Sequence, residues 1–167
     1  IHPVVPVGAK GGIVFEEAKG HAECPQLSMI RINGSIFFGA VDHIQSGLHH
    51  IDEAHPLKKF VLITGRGINF IDVAGAEMLA QEAKRRKKMG GGLFFYRLKD
   101  SVYKFLHKGD YLKDIGEGAF FPAMSNITHG IYHTLDPEVC KSCKTKIFPD
   151  CHGPILTDGE PWPEQTP

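Results

Sequence analysis

Short apolar runs alternate along this chain with segments whose apolar residues recur at helical spacing, and this alternation limits the possible folds more than any other feature. Phe60–Ile63 is an apolar run of strand length that ends near Gly65. Such a run is typical of a strand buried on both faces of a sheet. The segment before it predicts a helix, because four apolar residues recur at steps of three or four: Val41, Ile44, Leu48 and Ile51.

A hairpin is predicted ahead of that helix. Leu27–Ile32 alternates imperfectly and indicates a strand, and Ile36–Phe38 indicates a second strand. The three residues between them include Asn33-Gly34, which favours a tight turn because both residues tolerate positive φ. We therefore expect Leu27–Ile32 and Ile36–Phe38 to pair antiparallel.

Further strands and helices continue the alternation. Asn69–Ile71 indicates a short extended segment, and Asp72 is placed to cap the helix that follows it. The inner face of that helix is predicted to hold Ala76, Leu79, Ala80 and Ala83. Beyond it we expect a strand at Leu93–Leu98, a short helix capped by Ser101, a strand at Phe120-Phe121 and a helix carrying Met124, Ile127 and Ile131. The fold class predicted is α/β: a single mixed, mostly parallel β-sheet with an N-terminal antiparallel hairpin, covered by about four to five helices.

Proline and glycine divide the 167 residues into three parts. Residues 1–26 are rich in Gly, Pro and Val and predict a linker-like lead-in, residues 27–135 the folded domain, and residues 136–167 a Cys-containing tail. The chain starts at Ile1 without a signal-peptide pattern, so we interpret it as a piece of a longer protein.

Composition excludes several classes of protein. Nineteen basic residues balance nineteen acidic ones, whereas a nucleic-acid binder normally carries a basic excess. No apolar run reaches the ~20 residues that cross a bilayer. No catalytic motif of a hydrolase or metalloprotease is present, and the glycines after Thr64 lack the spacing of a phosphate-binding loop. The sequence therefore predicts a protein that is not an enzyme.

A basic run, Lys84–Lys88, ends the helix that Asp72 begins. Basic side chains there interact favourably with the negative end of the helix dipole, and Glu82 stands four residues before Arg86 as a supporting partner. The alternative interpretation is a contact with anionic lipid headgroups or with an acidic protein.

The tail carries three cysteines at short spacing. Asp136-Pro137-Glu138 predicts a helix start, Cys140 and Cys143 follow one turn apart, and Cys151-His152 comes eight residues later. Three thiolates and one imidazole suit tetrahedral zinc, so Cys140, Cys143, Cys151 and His152 are candidate ligands. The alternatives are three reduced thiols, two of them packed under Phe148, or a Cys140–Cys143 redox pair. Apart from zinc in the tail, no cofactor is expected.

Two segments resemble the STAS domain, named for sulphate transporters and anti-sigma factor antagonists. Ile30–Ala40 resembles the family's opening hairpin, and Asn69–Ala76 resembles its central loop entering the second helix. Gly90–Leu93 and the following strand also fit. The resemblance covers residues 27 to 135 and implies the fold of the anti-sigma factor antagonists.

The central loop separates the two branches of that family. Anti-sigma factor antagonists carry a phosphorylated serine directly after the loop's aspartate, but here Val73 and Ala74 follow Asp72. Neither side chain has a hydroxyl, so this resemblance implies the branch of SulP-type anion transporters. It implies a cytosolic regulatory and docking domain at the cytoplasmic face of the inner membrane, this piece of the integral membrane protein being soluble by itself. The implied partners are its own transmembrane part and, as a further candidate, acyl carrier protein or another cytosolic protein.

Two other functions stay open. One is a free-standing signalling antagonist that binds a kinase without being phosphorylated. The other is a module for a nucleotide or anion, because loops at the carboxyl ends of parallel strands bind ligands in α/β sheets. The candidate residues for a partner or ligand are Gly39, Thr64, Asp72, Val73, Ala74 and Gly75.

Overall fold

The computed structural model describes residues 1–9, 12–122, 124–148 and 151. The strands in these residues are β1 (His2–Ala9), β2 (Gly12–Glu17), β3 (Leu27–Arg31), β4 (Gly34–Ile36), β5 (Phe60–Thr64), β6 (Ile68–Ile71), β7 (Gly92–Tyr96) and β8 (Phe120–Phe121). The helices are α1 (Val41–Ala54), α2 (Val73–Lys88), α3 (Asp100–Lys108), α4 (Leu112–Ile115), α5 (Met124–Tyr132) and α6 (Pro137–Ser142).

Six strands form one mixed sheet in the order β2-β1-β3-β5-β7-β8. From β3 to β8 the neighbouring strands are parallel, whereas β1 runs antiparallel to both β2 and β3. A separate two-stranded parallel sheet pairs β4 with β6. The predicted fold class, an α/β protein with a mostly parallel sheet covered by helices, is confirmed, although the strands divide between two sheets.

Apolar side chains cover both faces of the large sheet, which explains why its central strands are almost wholly apolar. Along β5, Val61 and Ile63 belong to a core shared with α1, α2, α3 and α4, and Leu62 belongs to a second core. That second core contains residues of α5 and of the tail, among them Ile127, Ile131 and Phe148. Since side chains of a strand alternate between faces, the two cores lie on opposite sides of the sheet.

Residues 1–26 were expected to form a loosely attached lead-in, but the structure shows that part of this segment belongs to the large sheet. β1 and β2 form a hairpin that extends the large sheet, and Val4 and Val5 are buried. β1 pairs with β3 only at His2 and Pro3, so Pro6 lies beyond β3 and has β2 as its only strand neighbour. Proline lacks an N–H, and a position with one open side tolerates that loss.

The hairpin predicted at Asn33-Gly34 does not form. Gly34 does adopt the positive φ that such a turn requires, at 107°. However, β3 lies between β1 and β5, so neither of its edges is available to β4. β4 pairs instead with β6, and the N-terminal antiparallel hairpin of the fold is formed by β1 and β2.

Most of the remaining local predictions agree with the structure, but β4 and β7 each end two residues earlier than predicted and α3 is capped differently. Ile44 and Leu48 of α1 are buried, and so are the four predicted inner residues of α2. The residue before α3 is Lys99, so Ser101 lies inside the first turn and is not the cap. Among the described residues, none of the helices combines the length and the apolar character needed to cross a membrane.

Candidate functional site

Asp72 joins three parts of the chain where β6 leads into α2. Its Oδ1 accepts a hydrogen bond from the Gly75 N–H at 2.8 Å, which is the helix cap that the sequence predicts. Its Oδ2 accepts a second bond from the Phe38 N–H at 3.0 Å. These N–H donors, first Gly75 and then Phe38, hold the pKa of Asp72 below its ordinary value. The carboxylate therefore ties the start of α2 to the turn after β4.

Gly75 allows α2 to approach β4 closely. It is buried, and a Cβ built on it would lie 2.4 Å from the carbonyl oxygen of Ile36. That separation is far below van der Waals contact, so the position accepts no side chain without a shift of the backbone. Gly75 consequently positions the N-terminus of α2.

Four exposed apolar residues lie close in sequence to this junction, on the two segments that meet there. In the small parallel sheet, Ser35 pairs with Phe70 and Ile36 with Ile71, so the chain leaves both strands at the same end. The exposed fractions are 46% for Phe37, 82% for Phe38, 54% for Phe70 and 57% for Val73. We call these four residues the Phe–Val surface. Sequence reasoning assigned Phe37 and Phe38 to a strand and missed their exposure, because β4 ends at Ile36.

Thr64 is separated from the other candidate residues. Its side chain is buried, and its hydroxyl has no hydrogen-bond partner in the part of the chain that the structure describes. It stands in register with Tyr96, which belongs to the core on the side of α5. Asp72 begins α2, which covers the opposite face, so the structure does not bring Thr64 and Asp72 together. Gly39 lies exposed in the short turn beside Phe38.

The basic run at the end of α2 is mostly paired within the chain. Lys84 lies 2.9 Å from the Asp114 carboxylate, and Lys87 donates to the Asp114 carbonyl at 2.6 Å. Arg85 and Arg86 both contact acidic side chains of α1 and α2. Four of the five cations are thus engaged internally, and a lipid contact through Lys84–Lys88 stays a prediction.

The tail cysteines lie around a pocket that contains a further cysteine. Cys140, Cys143 and Cys151 line it together with Cys24, which sequence reasoning left out. His152 lies outside the described residues. Among the residues that are described, no group of three or more His, Cys, Asp or Glu side chains is spaced to hold a metal ion.

The cysteine thiols of the pocket differ in acidity. Burial raises the pKa of Cys24 to about 11, and burial followed by the neighbouring Cys143 raises that of Cys140. At Cys143 burial acts in the same direction, but hydrogen bonds from the Thr145 hydroxyl and from the backbone of Lys146 and Thr145 outweigh it and lower the pKa. Cys143 is therefore the most readily deprotonated of these three thiols.

Asp72→Ala should lower the midpoint of thermal unfolding by about 3 °C, since it removes the cap of α2. The pKa of Asp72 is lowered in the folded state. Its stabilising effect is therefore present above the unfolded-state pKa and is lost as the pH falls through the folded-state pKa. Thermal unfolding of both proteins near neutrality and in acid measures this. A difference that stays constant into acid would contradict the role of the charged carboxylate.

Comparisons with known proteins point to one family. The family model described as STAS domain matches residues 17–127. YvdB of Bacillus subtilis, which is named as a candidate sulfate transporter, is 27% identical to this chain over 106 residues. The match covers 64% of this chain and 20% of YvdB, so the chain spans about a fifth of that relative's length.

Two solved structures share the fold. A sulfate transporter family protein from Wolinella succinogenes superposes with a TM-score of 0.56 at 21% identity, covering 74% of this chain and 94% of the other. The mouse anion transporter Slc26a9 gives a TM-score of 0.63 at 13% identity, covering 80% of this chain and 22% of the transporter. At these identities the likeness concerns the fold alone.

Proposed function

The chain belongs to the STAS domain family, and on that premise we propose that it is the regulatory and docking domain of a membrane transporter for sulfate or a related anion. On this proposal the domain has no catalytic role and lies at the cytoplasmic side of the membrane. It acts by contact with the membrane part of its own transporter. Which anion is carried depends on that membrane part.

The share of its relatives that the chain matches supports this assignment. The matched segment is 20% of YvdB and 22% of Slc26a9, so most of each of these proteins lies outside the match. Both proteins are named for transport of sulfate or of anions. We infer that this chain is likewise attached to a transport unit. That unit, being part of the same protein, is the first candidate partner for an exposed contact surface.

The observation that carries the docking role is the Phe–Val surface. Phe38 and Val73 expose 82% and 57% of their surface although both lie next to a rigid junction. Exposed apolar side chains that form one patch mark interaction sites, and we take these four as one patch at the shared end of β4 and β6. Because Asp72 and Gly75 fix the backbone of this junction, we expect the surface to be ordered before a partner binds, which reduces the entropy lost on docking.

Val73 also favours a permanent contact over a phosphorylation switch. A phosphoryl group would add almost two negative charges at a helix N-terminus, but residues 73 and 74 are valine and alanine. No oxygen of these side chains can be esterified. Where the resemblance to anti-sigma factor antagonists places a serine, this chain has an exposed valine that offers apolar contact area.

Val73→Glu should weaken docking roughly tenfold, or about 1.4 kcal/mol, because docking would bury the new charge. The purified chain is titrated against the detergent-solubilised membrane part of the transporter, and the dissociation constant is measured. Since Val73 is exposed, the thermal stability of the variant should be unchanged.

Leu57→Glu is the matched control for this experiment. Leu57 is 79% exposed and lies before β5, whereas Val73 lies beyond the carboxyl end of β6. The same substitution there should leave the affinity unchanged. Equal affinities for Val73→Glu and the unaltered chain would refute the Phe–Val surface as the docking site.

Two observations separate this proposal from its alternatives. The reading frame upstream of Ile1 should encode apolar spans of about 20 residues, and a gene without them would favour a free-standing antagonist. Calorimetry with nucleotides and inorganic anions tests the ligand-binding module, for which Asp72–Gly75 offers a helix N-terminus. Binding of acyl carrier protein to this chain also stays a prediction, and calorimetry with purified acyl carrier protein tests it.

A further inference from the structure

All four cysteines of the chain line one pocket. Cys24 lies in the segment before β3, Cys140 and Cys143 lie at the end of α6, and Cys151 follows eight residues later. The pocket is small, with about 10 Å³ of space for a water-sized sphere, so its walls lie close together. No disulfide joins any of the four. Thiols separated by as many as 127 positions of sequence thus meet at one place in the fold.

The two segments that carry these cysteines are held together by Gln26. Its side-chain amide donates to the Asp136 carbonyl at 3.1 Å and accepts from the Asp136 N–H at 2.8 Å. The same amide nitrogen donates to the Cys140 sulfur at 3.3 Å. Gln26 is only 7% exposed, so these bonds form in a largely buried setting. The start of α6 is therefore fixed against the chain leading into β3.

Backbone N–H groups already face two of the sulfurs. The Cys24 sulfur receives hydrogen bonds from the N–H groups two and three residues later, at Gln26 and Leu27. The Cys143 sulfur receives the same pair, from Thr145 and Lys146. Hydrogen bonds to ligand atoms orient the thiolates around a metal ion and stabilise their negative charge. Two separate turns with this arrangement therefore point to a site for a cation that prefers sulfur.

We propose that Cys24, Cys140, Cys143 and Cys151 bind one Zn²⁺ ion as four thiolates. Soft sulfur donors in a set of four select tetrahedral zinc. Four thiols release four protons, and the Zn²⁺ ion with its four thiolates carries a net charge of minus two. The fourth ligand is then Cys24, and not His152, which the sequence predicted from the spacing of the tail. Since binding releases protons, the apparent affinity rises with pH.

Binding requires the sulfurs to move together. As the side chains stand, no three of them are spaced for an ion, whereas zinc needs each sulfur at about 2.3 Å. Metal sites of this kind form together with the surrounding structure, and we expect the four cysteines that line this small pocket to converge on the ion as it binds. The ion would then clamp the tail, including the buried Ile147 and Phe148, onto the second core.

The test is made on the whole chain, purified under reducing conditions without added metal or chelator. We expect stoichiometric zinc by elemental analysis. Replacement by Co²⁺ should give the intense visible bands of a tetrahedral thiolate complex, and titration should show all four thiols protected until a chelator is added. Zinc absent and Co²⁺ bands absent would overturn the proposal. So would the recovery of the cysteines as disulfides.

Two substitutions identify the fourth ligand. Cys24→Ser should weaken Co²⁺ binding by at least about 100-fold, whereas His152→Ala should leave it unchanged. Circular dichroism shows whether each variant folds. If a variant fails to fold, the metal content of the unaltered chain still tests the proposal. The opposite pattern, with His152→Ala losing the ion and Cys24→Ser retaining it, would refute the role of Cys24.

Discussion

Glu82→Ala is expected to lower the free energy of unfolding by about 3 kcal/mol, because it leaves a buried cation without one of its two acidic partners. Arg86 is 0% exposed, and its guanidinium contacts Glu82 at 2.6 Å and Asp52 at 2.9 Å. Glu82 is itself buried. A charge taken from water needs compensation from close partners, and alanine supplies none.

The matched control for Glu82→Ala is Glu77→Ala on the same helix. Glu77 is exposed, so its removal should change the stability by no more than about 0.5 kcal/mol. Urea unfolding of both variants gives the comparison. A double variant, Glu82→Ala with Arg86→Met, should recover part of the lost stability, because it removes the buried charge as well. If the double variant is less stable than Glu82→Ala alone, the unpaired charge is not the cause of the loss.

This ion cluster shows how far local spacing predicts structure. The Glu82–Arg86 contact follows from residues four apart on a helix, and the structure confirms it. The contact of Arg86 with Asp52 joins α2 to α1 over 34 positions, and no local pattern indicates it. Burial also depends on the packing of other elements. Sequence therefore predicted the pair but not the buried network that makes it important for stability.

Strand pairing shows the same limit more strongly. The strand at Phe60–Ile63 and the helical face of α1 were predicted because each is encoded by neighbouring residues. The hairpin at Asn33-Gly34 failed, although the turn residues were favourable, because β1 and β5 occupy both edges of β3. Competition between strands distant in sequence decides such pairings, and it is absent from any short window.

In the candidate site too, features set by neighbouring residues were predictable and features set by the fold were not. The Asp72 cap was predictable, since capping is a contact within one turn of helix. Exposure of Phe37 and Phe38 was not, because it depends on where β4 ends. Cys24 was missed because its spacing from the tail cysteines resembles no metal motif, and only the fold brings it to the pocket.

Gly75→Ala is expected to destabilise the protein by about 2–3 kcal/mol, although alanine is normally the better helix former. In an unobstructed helix the same change stabilises by up to about 1 kcal/mol. Here the added methyl group would lie 2.4 Å from the backbone oxygen of Ile36, which cannot rotate away. Because the obstacle is backbone rather than a flexible side chain, α2 must shift, and the steric term outweighs the helix propensity.

Gly118→Ala provides the matched control, for which no loss of stability is expected. No atom lies within 4 Å of a Cβ built at Gly118, so alanine there should be neutral or stabilising by up to about 1 kcal/mol. Urea unfolding measures both variants. The shift of α2 in Gly75→Ala should also separate Asp72 from the Phe38 N–H and so weaken docking through the Phe–Val surface, whereas Gly118→Ala should dock normally. If the two glycine variants unfold alike, close approach of α2 to β4 does not constrain position 75, and the junction loses its physical basis as a rigid docking site.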